Sequence, residues 1–148
     1  MPISIAITEA QIRRAFPVMQ QLRPHLDEEG FVQQVMRQQE RFGYVLAVNE
    51  SEGIVRAVAG FRIGEFLAWG KILYVDDLVA DEAVQGGGYA NQLFDWLVDF
   101  ARRQNCQQLH LDSGANPGRY RAHRFYHMKG MNITSHHFAL DLTQQRKP

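Results

Sequence analysis

Three consecutive glycines, Gly86, Gly87 and Gly88, separate an apolar run at residues 71–80 (KILYVDDLVA) from a long amphipathic stretch at residues 88–104. Glycine loses more conformational entropy on folding than any other residue, so three together make poor core filler. Residues 71–80 read as a strand. Residues 88–104 read as a helix, with Ala90, Leu93, Phe94, Leu97, Val98 and Ala101 on one face. A strand, a glycine turn and a helix in this order place successive backbone N–H groups at the positive end of a helix. Without Cβ atoms those groups can converge on an anion, and a pyrophosphate is the natural occupant. The glycines alone also allow a plain flexible turn. Two familiar phosphate motifs are excluded. A P-loop needs Gly-Lys-Ser/Thr at the helix start, and here Tyr89 follows Gly88. A dinucleotide turn needs a third glycine where Asn91 stands, and it follows the first strand of its fold rather than the fourth.

The remaining elements follow from periodicity. Ile3, Ile5 and Ile7 alternate with small residues and suggest a first strand. Thr8 caps a helix whose stripe is Ile12, Ala15, Phe16, Met19 and Leu22, and Pro24 ends it. A second helix opens near Asp27, buries Phe31, Val32, Val35 and Met36, and stops around residues 42–43. Residues 44–49 and 54–63 form a hairpin across the polar turn ESEG, with a break over residues 64–70 before the next strand. QLHLD at 108–112 is a short strand. Asn116 and Pro117 open a helix that ends at Gly130. Residues 131–142 read as a last strand, and the final six, TQQRKP, as frayed. The order β-α-α-β-β-β-α-β-α-β implies an α/β chain with a mixed sheet, antiparallel first and parallel later, helices covering both faces.

With 148 residues and no repeat or linker, residues 1–148 read as one domain. Sixteen basic residues balance sixteen acidic ones, which argues against bulk electrostatic capture of nucleic acid. No stretch approaches the length of a membrane span, and the first sixteen residues lack the pattern of a signal peptide. A single cysteine, Cys106, forms no intrachain disulfide and reads as a packing residue near a helix end. The expectation is a soluble, cytoplasmic protein.

Gln85-Gly86-Gly87-Gly88-Tyr89-Ala90 resembles the Gln/Arg-x-x-Gly-x-Gly/Ala signature of the GNAT superfamily of N-acetyltransferases. Residues 119–131 (RYRAHRFYHMKGM) resemble its late motif, Asn-x-x-Ala-x-x-x-Tyr-x-x-x-Gly-Phe, with Ala122, Tyr126 and Gly130 in register. Arg119 stands where that motif has Asn, and Met131 where it has an aromatic residue. The resemblance covers nearly the whole chain. It implies the GNAT, or acyl-CoA N-acyltransferase, fold and acetyl transfer from acetyl-CoA to an amine, with no metal. It further implies that the fourth strand splays from its parallel neighbour and offers main-chain contacts from Leu78, Val79 and Ala80 to the pantetheine arm. Residues Gln85, Gly86, Gly87, Gly88, Tyr89 and Ala90 would cradle the phosphates, and Arg119 is a further candidate contact to CoA. Tyr126 would donate a proton to the departing sulfur. The region bordering the acceptor would bring in Arg23, His25 and Glu28.

Acetyl transfer to an amine requires that the amine lose a proton, that the developing oxyanion be stabilised and that the thiolate be protonated. Asp76 and Asp77 are adjacent acids in an otherwise apolar strand and point to opposite faces, so one faces the acceptor groove as base, relay or electrostatic anchor. The other reading gives them a structural role at the splay. His123 and His127 share a helix face, but Arg124 stands where a zinc hydrolase needs Glu, and no spacing demands a third ligand from His110, His136 or His137. The expected acceptor is a small-molecule amine or a protein amine. The strand-like C-terminus would leave an edge for a homodimer. A non-catalytic acyl-CoA-binding sensor of the same fold is the alternative, and a nucleotide-binding protein a third reading.

Overall fold

The computed structural model describes residues 2–143. They fall into two compact units that divide after Leu111.

The first unit is built on a five-stranded sheet in the order β1-β2-β3-β4-β5. Its strands are β1 (Ile3–Ile5), β2 (Val45–Ser51), β3 (Ile54–Phe66), β4 (Gly70–Ala80) and β5 (Gln108–Leu111). The first four are antiparallel neighbours, and β5 joins β4 in parallel, as the sequence implies. The β2–β3 turn uses Glu52 and Gly53, both with positive φ (53° and 75°), the pairing that lets a two-residue hairpin follow the strand twist. The predicted break at 64–70 is shorter than expected, because β3 runs on to Phe66.

Helices cover both faces. On one lie α1 (Glu9–Leu22) and α2 (Glu28–Arg41), where Ile12, Phe16, Met19, Phe31 and Val32 pack on Leu46, Val48 and Val58. Thr8 and Gln11 form a reciprocal capping box at the start of α1, and Asp27 caps α2 through the N–H of Gly30. The other face carries α3 (Tyr89–Arg103), whose Leu93, Phe94, Leu97 and Ala101 are buried, the first and third packing with Phe61, Leu73 and Val75. Burial of each large apolar side chain is worth about 1.5–3 kcal/mol, so this stripe alone fixes α3 to the sheet. Two expectations fail at stripe edges. Met36 is 39% exposed, and Ile7 lies beyond the three residues of β1 and is exposed.

In the second unit a 3-10 turn at Pro117–Arg119 leads into α4 (Tyr120–Met128). Asn116 precedes that turn without donating or accepting a side-chain cap. The predicted last strand is absent: among the described residues, 131–143 form no strand, and Ile133, Phe138, Leu140 and Leu142 are exposed. Alternation supplies a face pattern, but a strand exists only where a neighbour completes its ladder. The tail therefore offers no strand edge to a second copy, and the sheet's outer strands are β1 and β5. Of the six residues expected to fray, 144–148 lie outside the described residues.

Candidate active site

The glycine turn has the geometry that an anion cradle requires. Gly86 and Gly88 have φ of 86° and 84°, and a Cβ on either would meet open space. Their glycine character therefore serves the left-handed backbone and leaves the outer surface of the turn open. Gly87 donates its N–H to the Val84 carbonyl at 2.9 Å, which closes the turn behind Glu82–Val84. Gly88 is the N-cap of α3 and supplies no side-chain cap, so the first N–H groups of α3 have no carbonyl of their own helix to meet. Asn49, fully buried on β2, donates to the Tyr89 carbonyl and to Gln92 Oε1, each at 3.1 Å, and pins the start of α3 to the sheet.

β4 carries the second feature. Its pairing with β5 runs from Ile72 to Val75 and stops, leaving residues 77–80 with β3 as their one strand partner among the described residues. Leu78, Val79 and Ala80 lie on that one-sided segment. The ladder to β5 thus ends before the segment that the resemblance assigns to the pantetheine arm.

At the same point the β3–β4 register slips. Gly60 faces Asp77 and Phe61 faces Val75, so Asp76 is an extra residue in β4, a β-bulge. The consequence corrects the expectation that Asp76 and Asp77 point to opposite faces. Leu73 and Val75 pack toward α3, and after the slip Leu78 and Ala80 do so. Tyr74, Asp76 and Asp77 line one cavity on the α1/α2 side, and Val79 packs on that same side. One inserted residue has brought both carboxylates together.

That cavity, an open cleft of about 430 Å³, is lined by α1, α2, the segment between them and the sheet. Each acid in it is engaged. Arg62 meets Asp76 with two parallel hydrogen bonds, from Nε to Oδ1 at 3.1 Å and from Nη2 to Oδ2. Arg23 donates through Nε to Asp77 Oδ1 at 2.9 Å and through Nη2 to the Asp76 carbonyl at 3.1 Å. Tyr44, almost wholly buried, donates its hydroxyl to Asp77 Oδ2 at 2.9 Å. Burial, reinforced by the negative charge of Asp77, pushes that phenol well above the usual tyrosine value, so it stays a donor. The ring passes over Gly60, where a Cβ would lie 1.8 Å from the hydroxyl. Only glycine fits beneath it.

Of the acceptor-side residues named from sequence, Arg23 and His25 line the cavity. Glu28 is not among its lining residues; its carboxylate accepts from Arg13 at 3.2 Å, at the start of α2. Tyr44, Gly60, Arg62 and Asn49 were not legible as site residues. The available signals were a polar Asn49 and a charged Arg62 inside apolar strands.

Within the second unit, Tyr126 lies on α4 beside Phe125. Burial raises its phenol above the ordinary value while Arg119 pulls the other way, so it is protonated at neutral pH. Arg119 also donates to Ser113 Oγ at 3.3 Å. His123 contacts the Gly114 carbonyl at 2.8 Å, and His137 approaches Asp112 at 3.4 Å. Among the described residues no three His, Cys, Asp or Glu side chains group as metal ligands, and no helix is long and apolar enough to cross a membrane. Cys106 is half-buried beside the α3 core, and burial raises its thiol.

Comparison with known proteins gives the same picture. The model of the acetyltransferase (GNAT) family matches residues 8–131. An uncharacterized N-acetyltransferase of Bacillus subtilis (strain 168), YhdJ, is 31% identical over 125 residues, 84% of this chain and 87% of that protein. Among solved structures, ribosomal-protein-alanine N-acetyltransferase of Brucella melitensis biovar Abortus 2308 superposes with a TM-score of 0.80 at 13% identity, covering 96% of this chain and all of that one. Aminoglycoside N-acetyltransferase AAC(6')-Iy, solved in complex with CoA, superposes with a TM-score of 0.75 at 11% identity, over 94% of this chain and 93% of its own. At such identities the two structures speak for the fold. With the family match and the Bacillus relative, the chain belongs to the GNAT family of acetyltransferases.

Proposed function

We propose that this protein is an acetyl-CoA-dependent N-acetyltransferase, its two units acting as one catalytic domain, as the span of the family match across both suggests. The observation that carries the reading is the left-handed glycine turn at the start of α3, which has no side-chain cap, next to a β4 segment, residues 77–80, with no strand on its β5 side among the described residues. On this reading the turn from Gln85 to Ala90 cradles the pyrophosphate, through N–H groups other than those of Gln85 and Gly87, which close the turn on Glu82 and Val84. Arg119 is a further contact, and Leu78, Val79 and Ala80 meet the pantetheine arm. A β4 N–H polarises the thioester carbonyl.

The acceptor is a primary amine of a small molecule or a protein and enters the cavity in front of Asp76 and Asp77. These carboxylates attract its ammonium form, and the proton leaves toward solvent along the cavity. The nitrogen then attacks the carbonyl carbon, the carbon–sulfur bond breaks, and Tyr126 gives its phenolic proton to the thiolate. The protonated state of Tyr126 supports that role.

The test is a calorimetric titration with acetyl-CoA, beside a Gly88→Trp variant verified as folded by circular dichroism. The expected result is binding by the wild type and none by the variant. Absence of binding by both would overturn the reading, and binding without turnover of any amine would favour an acyl-CoA sensor.

A further inference from the structure

The two walls of the acceptor cavity carry opposite chemistry. The sheet wall supplies both carboxylates, Asp76 and Asp77, and no cation. The helix wall supplies Arg23, His25, Gln34 and Gln38 and no carboxylate. Between them the lining is apolar, with Leu26, Phe31 and Val35. A ligand filling this space meets anions on one side, donors on the other and a greasy middle.

The pairing already present narrows the ligand further. Each carboxylate is matched by one guanidinium, so the cavity has no surplus of negative charge for a polycation. Arg23, in contrast, uses Nε and Nη2 on the acids, while its Nη1 has no acceptor among the described residues. A guanidinium with an unused donor pair is suited to a carboxylate.

We propose that the acceptor is a free amino acid with an apolar side chain, its ammonium toward Asp76 and Asp77 and its carboxylate on Arg23. The proposal rests on the acetyltransferase reading and specifies its substrate class. Its side chain packs against Phe31 and Val35. A peptide N-terminus or a simple alkylamine would leave Arg23 without its partner, and a polyamine would carry positive charge against the helix wall.

Two matched sets separate these acceptors: L-phenylalanine, L-phenylalaninamide and 2-phenylethylamine; and L-leucine, L-leucinamide and 3-methylbutylamine. Spermidine completes the panel. Thiol release from acetyl-CoA is measured for each, with products identified by mass. The expected result is a kcat/KM at least about 10-fold higher for an amino acid than for its amide and amine, the size of one charge-assisted contact. In Arg23→Gln that ratio falls toward one through KM for the amino acid, while calorimetric affinity for acetyl-CoA is unchanged; Arg23→Lys restores part of it. Equal or better use of the amides, amines or spermidine overturns the proposal and leaves acetyl transfer standing. So does failure of all seven with a protein that binds acetyl-CoA. Failure to bind acetyl-CoA at all removes the underlying reading and the proposal together.

Discussion

Replacing Gly60 by alanine tests how the acid pair is held in place. The backbone at Gly60 is not left-handed, so a methyl group there carries no intrinsic strain. Alanine loses less chain entropy than glycine on folding, and in an empty site the change would be neutral or stabilise by up to about 1 kcal/mol. The site is not empty. The new Cβ would stand 1.8 Å from the Tyr44 hydroxyl and 2.3 Å from the ring carbon bearing it. The phenol must withdraw by roughly 1.5 Å to reach ordinary contact, and its 2.9 Å bond to Asp77 breaks. A lost hydrogen bond to a charged group costs about 1.5–3 kcal/mol, and overpacking about 1–3 kcal/mol. A net loss of about 3 kcal/mol follows, lowering Tm by about 10 °C in a chain of this size. Urea unfolding of wild type, Gly60→Ala, Tyr44→Ala and the double variant closes the cycle. The sign should reverse: Gly60→Ala harms the wild type and is neutral or helpful beside Tyr44→Ala. A cost equal in both backgrounds, to within about 0.5 kcal/mol, would refute the account of Gly60 as the seat of Tyr44.

Four other outcomes are expected. Tyr126→Phe should lower kcat by about 100-fold with little change in KM for acetyl-CoA. Because burial raises the Tyr126 phenol, wild-type kcat should show no alkaline loss from it below about pH 10, which a pH–rate profile checks. Gly86→Ala, at φ 86°, should cost about 1–2 kcal/mol in urea unfolding and weaken acetyl-CoA in calorimetry by 10-fold or more, order-of-magnitude. Asp81 is held below its usual value first by the Gln21 side chain and then by the Ala83 N–H. A depressed folded pKa stabilises above the unfolded value of about 4 and loses that contribution as pH falls through the folded one. Asp81→Ala should therefore be less stable than wild type at pH 7 by about 0.5–1 kcal/mol, a cap-sized effect. The gap should close below about pH 4 when Tm is followed in acid.

The layers of the fold were legible because they rest on local patterns. The stripe of α3, the Thr8 and Asp27 caps and the hairpin at Glu52–Gly53 each need only neighbours in sequence. The glycine turn was legible for the same reason. What escaped is set by pairing between distant segments. The bulge at Asp76 arises from the β3–β4 register, and no inspection of residues 71–80 alone can reveal an unpaired residue. Strict alternation then sends Asp76 and Asp77 apart, where one slip brings them together. Tyr44 read as an ordinary strand aromatic, because its partner Asp77 lies 33 positions away. The C-terminal tail failed in the opposite way: its alternation was real, but no ladder accompanied it.

The charge balance of the cavity follows from the bulge. Two like charges brought onto one face repel each other, a cost that a neighbouring cation offsets. Arg62 removes much of that cost at Asp76 with a two-pronged grip reinforced by the Phe42 carbonyl at 3.2 Å and by the face of Tyr44, 5.6 Å from its guanidinium. Asp77 is held differently, by Tyr44 from beneath and by Arg23, which itself lines the cavity. The two acids are thereby unequal. Arg62 is not among the lining residues, so its bond to Asp76 stays out of a ligand's reach, whereas an incoming ammonium and carboxylate can share the Arg23–Asp77 pair between them. On the proposed reading, both acids draw the ammonium in, Asp77 is the one that contacts it, and Asp76 also fixes the strand around it. Loss of Asp77 should then act on the amine's KM and on kcat together, while loss of Asp76 should register first as lowered stability.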